Sequence, residues 1–378
     1  MRVAVPQESH VRSHQRDPQV AARVGMWLGI CFGIAFLTGL YSHWLQSPPG
    51  WFSPITRPAG FYRFSQGLHY LTGTACAPLL LVKLYAVYPK LFTRPPWQDR
   101  GEMVRHGLER ASIGLLVASA VFQVVTGIAN SAQWYPWSFS FRSTHYAVAW
   151  VAIGSLIIHI AVKLPLIRTA LRDKVDPPSE DHTGLSRRGL LRTTYLATGL
   201  LVLSVAGGAV PWLRRTSVFE THFVPGGGIP INKTARRAGV TVSATDPTWS
   251  LVVAHAGREE RLDLAALTAL PQRVERLPIA CVEGWSASGD WTGVRLRDLL
   301  DLVGAPAGST VQAVSLQTEG PFRSSTLDGR TADDPLTLIA LGLDGEQLSL
   351  DHGFPCRLIA PGRPGVLQTK WLDRIEVA

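Results

Sequence analysis

Five stretches of roughly twenty apolar residues dominate the first 213 positions: Val24 to Trp44, Gly67 to Tyr88, Gly107 to Ala129, His145 to Leu164 and Thr194 to Leu213. Each matches the length of α-helix needed to cross a hydrocarbon core. A membrane-spanning segment must satisfy its own backbone polar groups, so these stretches predict an all-α transmembrane bundle of five helices. At 378 residues the chain also exceeds what one core usually organises, which predicts a second domain. A net charge of +9 would suggest nucleic acid in a soluble protein. Here the basic residues flank apolar segments, only 17% of residues are charged and 12 are Trp. The expected partner is therefore a lipid bilayer and not nucleic acid.

Lysine and arginine counts set the orientation. Four fall in residues 1–23, five in 89–110 and six in 166–194, against two in 46–66 and one in 130–143. By the positive-inside rule the N-terminus is cytoplasmic, and everything after Leu213 is outside a cell (cytoplasmic) membrane. Trp51, Phe52, Trp134, Tyr135 and Trp137 in the two outside loops suit an interfacial aromatic belt. Residues 1–23 lack the apolar core of a signal peptide. Instead, Ser186-Arg187-Arg188-Gly189-Leu190-Leu191-Arg192 precedes the fifth segment and resembles a twin-arginine export signal placed internally. The plain alternative is a cytoplasmic flank of ordinary topology charges.

Beyond Leu213 the composition becomes mixed, and Val-Pro-Gly-Gly-Gly-Ile-Pro at 224–230 reads as a linker. Gly226 to Thr234 lacks the Gly-Lys-Ser/Thr ending and the preceding strand of a phosphate-binding loop, so that reading is rejected. Alternation at Val240 to Ser243, Trp249 to Val253, Val311 to Leu316 and Cys356 to Ala360 predicts strands, while Leu262 to Leu270 and Leu296 to Val303 predict short helices. The expected organisation has a cytoplasmic segment at 1–23, a four-helix membrane domain at 24–165, a cytoplasmic loop at 166–193 and a fifth helix at 194–213. A linker at 214–228 and an exported α+β domain at 229–378 complete it.

Ionisable residues inside membrane segments are costly and usually functional. His145 and His159 are fourteen apart, about 21 Å of helix and within roughly 40° of one face. His69 opens the same step in the second segment, but position 83 is Lys. The four-helix region resembles b-type membrane cytochromes, which implies an outer haem b held by His69 and His145. His43 competes as a ligand, and His159 would serve a second haem with Lys83 or His106. Alternatively, His159 and Lys83 belong to a quinone pocket.

Of the four cysteines, Cys31 and Cys76 fall in apolar helices and read as small buried hydrophobes. Cys281 and Cys356 could form a structural disulfide if that half is exported. A lone thiolate is also a soft anionic ligand for a high-valent metal. Cys281-Val282-Glu283-Gly284-Trp285-Ser286, with His352-Gly353-Phe354-Pro355-Cys356-Arg357 and Gln368-Thr369-Lys370-Trp371, resembles the molybdopterin-binding domain of the sulfite oxidase family. Over about 229–378 the likeness is greatest to its periplasmic methionine-sulfoxide reductase branch. It implies an α+β oxidoreductase that carries Mo-molybdopterin, with Cys281 ligating molybdenum. It further implies cofactor contacts from Asn232, Ala235, Arg236, Thr318, His352, Arg357, Gln368, Thr369 and Lys370. His352 stands where that branch has Asn, so its pocket differs.

The resemblance implies oxygen-atom transfer on a small or protein-bound S-oxide or a sulfite-like substrate. Arg323 is the candidate substrate-facing group, with Arg276, Arg295, Arg297 and Arg363 available to an anion pocket. The resulting expectation is a membrane-bound molybdopterin enzyme exchanging electrons with quinone through haem b. Two alternatives stay open: an anchored molybdenum enzyme served by a separate donor, and a metal-free binding module.

Overall fold

The computed structural model describes residues 15–92, 96, 98–175, 185–219, 224 and 228–377. Part of the expected 224–230 linker and most of the N-terminal segment expected at 1–23 therefore lie outside the described residues. The five apolar stretches are five long helices: α1 (Pro18–Gln46), α2 (Phe61–Val87), α3 (Arg100–Ser131), α4 (Phe141–Arg172) and α5 (Arg187–Ala209). Each is long and apolar enough to cross a bilayer. α1, α3 and α4 outrun their apolar stretches at both ends, and at the start of α3 Asp99 Oδ1 accepts from Gly101 N (2.7 Å) and Glu102 N (3.2 Å), whereas α5 begins earlier than expected and stops at Ala209, short of Leu213. Their outward faces are apolar, with Leu37, Ile157, Ile158 and Leu196 all at least 60% exposed, as lipid-facing side chains must be.

Ser186 Oγ accepts from Gly189 N (3.0 Å), so it acts as the N-cap of α5, and Arg187 is ion-paired with Asp17 (3.0 Å). These contacts give the Ser-Arg-Arg run a helix-start role whether or not it is also an export signal.

Contact clustering divides the chain into two units. The helical unit holds residues 1–40, 68–207 and 215–219. The second unit holds 220–378 together with 41–67 and 208–214, so the ends of α1 and α2 and the segment between them cluster with the C-terminal part. That grouping departs from the linear division expected at residue 214.

The C-terminal part is α+β. One sheet has the order β2-β1-β10-β5-β6, formed by β1 (Ser250–His255), β2 (Arg258–Asp263), β5 (Val311–Ser315), β6 (Ser324–Leu327) and β10 (Leu372–Val377). Only β1 and β10 pair in parallel there. The other sheet runs β3-β4-β7-β8, from β3 (Arg273–Ala280), β4 (Ser286–Arg295), β7 (Leu338–Leu343) and β8 (Glu346–Gln347), with β9 (Arg357–Ile359) also on β7. Leu251, Leu299, Ile339 and Leu358 lie in the larger core, while Ile279, Cys281, Trp285 and Trp291 share the smaller.

One expected strand is a helix. Val240 to Ser243 alternates like a strand, but residues 241–244 are helical, as Ala244 N donates to Val240 O (2.8 Å). Val240 and Ala244, one turn apart, both pack with Trp371, and burial on one side of a turn outweighs β-branched propensity.

At Gly293 in β4 the backbone of β7 comes so close that a Cβ would fall 2.2 Å from Ile339 O. Gly293→Ala is expected to lower stability by about 2 kcal/mol or more, because a strand and not a side-chain tip must move. Thermal unfolding in detergent measures it.

Candidate active site

β3 ends at Ala280 and β4 begins at Ser286, so Cys281 to Trp285 form the turn between two paired strands. Cys281 N donates to Trp285 O (2.9 Å) and Gly284 N to Cys281 O (3.1 Å). Gly284 supplies the positive φ of +97° that closes the turn. Cys281 is fully buried. Burial, with the Glu283 carboxylate next, pushes its thiol well above the usual range. Metal ligation requires this thiol to give up its proton, which burial opposes until a cation compensates the charge. Cys356 is buried in the other core cluster, and all four cysteines are free thiols, so the Cys281–Cys356 disulfide alternative is not realised.

Beside this turn lies a cleft lined by Asn232, Trp285, His352, Arg357, Gly365 and Lys370, among others. Gly365 brings its wall against the turn: a Cβ there would sit 3.0 Å from Ile279 Cγ2 and 3.6 Å from Cys281 Cα. Arg357 is 4% exposed; its Nη1 donates to His352 O (2.9 Å), its Nη2 to Gln368 O (3.1 Å), and its Cζ stands 5.1 Å over the Trp291 ring. Its Nε is buried and has no hydrogen-bond partner among the described residues. Burial lowers the guanidinium to about 9, so it stays charged at neutral pH. Lys370 Nζ donates to Lys233 O (2.6 Å) and Asp351 O (3.0 Å). Burial first, and then the neighbouring Arg357 charge, lower Lys370 to about 7. Neither cation has an ion pair with a carboxylate among the described residues. Buried cations bonded only to carbonyls call for an anion.

The sequence-selected residues separate into three groups. Asn232, His352, Arg357 and Lys370 line the cleft. Ala235, Gln368 and Thr369 are buried supports: Ala235 N donates to Asp351 Oδ1 (2.8 Å), Gln368 exchanges two 2.8 Å bonds with the Ala360 backbone, and Thr369 Oγ1 bonds Ser325 Oγ (2.7 Å). The side chains of Gln368 and Thr369 and the backbone N–H of Ala235 are therefore spent on the fold. Arg236, Thr318 and Arg323 are exposed, and Arg323 Nη1 donates to Thr318 O within its own loop (3.1 Å). His352 has both ring nitrogens engaged, Nδ1 by Ser349 Oγ (2.9 Å) and Nε2 by Ile229 O (3.0 Å). Nε2 must be the donor to a carbonyl, and burial, which lowers the pKa of the ring, favours the neutral tautomer in which Nδ1 accepts from Ser349.

Sequence reasoning missed Trp285 and Asp351 as parts of the cleft. Trp285 Nε1 donates to Glu283 Oε2 (3.0 Å), which fixes the turn. Trp285 stands in the run that carries the resemblance, whereas no spacing signal marks Asp351, which only tertiary folding brings to the cleft.

The family profile described as oxidoreductase molybdopterin binding domain matches residues 238–378, which span the Cys281 turn, Arg357 and Lys370. Residues 238–378 are a sulfite oxidase-type molybdopterin oxidoreductase domain. A sulfite oxidase of Arabidopsis thaliana is 40% identical over 112 residues, covering 25% of this chain and 28% of that protein. The catalytic subunit MsrP of a protein-methionine-sulfoxide reductase from Gluconobacter oxydans is 32% identical over 145 residues, covering 34% and 46%. A nitrate reductase [NADPH] of Mycosarcoma maydis is 61% identical over 119 residues, covering 25% and 12%. The chain thus spans less than half the length of these relatives.

The oxidoreductase domain fits the group its family carries. Arg357 and Lys370 line one cleft with Trp285 of the Cys281 turn, and a buried thiol in that turn beside two basic groups suits a dithiolene-bound metal on an anionic, phosphate-bearing pterin.

Proposed function

We propose that this protein is a membrane-bound molybdopterin-dependent oxidoreductase that transfers an oxygen atom outside the membrane and exchanges electrons with the quinone pool through haem b. The observation that carries the reading is the pair of buried cations, Arg357 and Lys370, in a cleft against the Cys281 turn. Cys281 would hold molybdenum through its sulfur. Arg357 would fork onto the phosphate, Lys370 would add a point charge, and Asn232 would bond the pterin's polar edge. Molybdenum supplies the two-electron redox change, and the protein supplies position and electrostatics. The relatives named for sulfite and for protein methionine sulfoxide support an S-oxide or sulfite-like substrate.

Support for haem comes from the helical unit. His69 Nδ1 donates to Ala35 O (2.8 Å). His145 Nδ1 bonds Thr126 Oγ1 (2.9 Å), whose own proton goes to Phe122 O (2.7 Å), so this imidazole nitrogen also carries the hydrogen. Both rings are thereby set in the tautomer whose Nε2 lone pair is left for a metal. Gly39 gives His69 room, since a Cβ there would fall 2.8 Å from His69 Cε1. A second haem on His159 has weaker support: Lys83, one of its expected partners, donates its Nζ to Ala21 O (2.8 Å).

Residues 41–67 cluster with 220–378, which suits a topology placing the segment after the first crossing and the domain after the fifth on one side of the membrane. The basic-residue counts then make that side the outer one. In detergent, dithionite-reduced protein is expected to show b-type absorption bands that His69→Ala and His145→Ala each remove while molybdenum stays bound. An unchanged spectrum in both variants contradicts the haem assignment, and no bands in the parent protein favour a separate electron donor.

A further inference from the structure

The end of α1, the start of α2 and the segment between them belong to the unit that carries Cys281, and they touch the walls of the cleft at several points. Ala59 packs into the cluster containing Cys281 and Trp285. Leu45 and Tyr62, both buried, share a cluster with Ala280, the residue before Cys281. Gln66 Nε2 donates to Val282 O, the carbonyl after Cys281 (3.4 Å), and Tyr62 OH donates to Gln66 Oε1 (3.3 Å), which fixes the amide's orientation. Arg63 Nη1 reaches Ser288 Oγ on β4 (3.1 Å).

The same segment holds the other wall. Gly362 N donates to Ala59 O (3.3 Å), and Gly362, at φ +67°, lies so near that a Cβ would fall 2.3 Å from Ile55 O. Three residues on is Gly365, which abuts Cys281. Arg57 closes the contact with an ion pair to Asp334 (2.7 Å), whose side chain is only 7% exposed. Arg57 itself is 46% exposed, so solvent screens the pair, and its part is to fix geometry more than to add stability.

We infer that residues 55–66 are a positioning element of the active site: they hold the Cys281 turn and the Pro361–Gly365 loop in register. On this account Tyr62 and Gln66 act through the turn and do not touch substrate. The inference rests on the reading of Cys281 as the molybdenum ligand, so its test needs one readout that does not involve the metal.

The double variant Tyr62→Phe/Gln66→Leu keeps side-chain bulk and removes the polar link to Val282. Hydrogen exchange on molybdopterin-free protein reads the turn directly: the Cys281 and Gly284 amides, both hydrogen-bonded in the parent, are expected to exchange about tenfold faster. In loaded protein the molybdenum paramagnetic resonance signal should shift or broaden, as a displaced sulfur ligand requires. Arg57→Ala should do the same more weakly, with Arg57→Lys restoring the parent spectrum. Unchanged exchange at both amides overturns the inference. Faster exchange with an unmoved molybdenum signal upholds the brace and counts instead against Cys281 as ligand. If the double variant does not fold, Tyr62→Phe alone and the Arg57 pair carry the same comparison.

Discussion

Cys281→Ser is expected to abolish turnover, lowering it at least about a thousandfold, the scale on which a group acting at the reacting centre is lost. Serine keeps the turn, because the bonds that define it run through the Cys281 backbone N and O and not through sulfur. What is lost is the soft anionic donor. An alcohol buried in the same place would have to give up its proton at far greater cost than a thiol. The b-type spectrum should be untouched, since the haem assigned to His69 and His145 lies in the other unit. Steady-state turnover with a quinol or dye donor, beside a reduced absorption spectrum, checks both halves. Surviving turnover would show that the thiol is not the ligand.

Lys370→Met is expected to act in opposite directions on the loaded and the cofactor-free protein. Loaded protein loses the point charge that faces an anionic cofactor, and bound molybdenum per chain should fall about tenfold or more, as for a charged hydrogen bond worth 1.5–3 kcal/mol. Cofactor-free protein should gain stability at neutral pH and below. Lys370 is held at about 7 in the folded state against 10.5 in the unfolded chain. Between those values the unfolded chain binds more protons, so parent stability rises with pH from about 7 to 10.5 and is lost as pH falls toward 7. Each pH unit in that window is worth at most about 1.4 kcal/mol. Arg357, lowered to about 9, adds to the same slope only at the alkaline end. Lys370→Met should flatten the curve, and an anionic cofactor that keeps Lys370 protonated should flatten it too. Thermal unfolding of cofactor-free protein from pH 6 to 9.5 gives the slope, and a parent curve that falls with pH contradicts the assignment.

How far the sequence reaches depends on the range of the interaction that shapes each element. Crossing a bilayer is decided within one segment, and all five helices were legible from their apolar length alone. The Cys281-Val282-Glu283-Gly284-Trp285-Ser286 run was legible as a motif because its residues are consecutive, but that it turns between two paired strands was not, since that depends on the pairing of β3 with β4. Val240 to Ser243 was misread because its strand-like alternation is local, whereas its partner Trp371 lies more than a hundred residues away. Gln368 and Thr369 were selected as cofactor contacts, but their side chains serve Ala360 and Ser325. Arg323 was selected for its charge, and it bonds to its own exposed loop. The grouping of 41–67 with the C-terminal part was invisible for the same reason: no local pattern announces that Arg57 pairs with Asp334.

The measurement that bears most directly on the account is metal per chain, by elemental analysis of detergent-purified protein made with molybdate and a working pterin pathway. The expected result is molybdenum near one per chain, lost in Cys281→Ser together with Lys370→Met, and iron at one or more. Protein free of molybdenum under those conditions, with the cleft of Arg357 and Lys370 intact, would contradict the central claim.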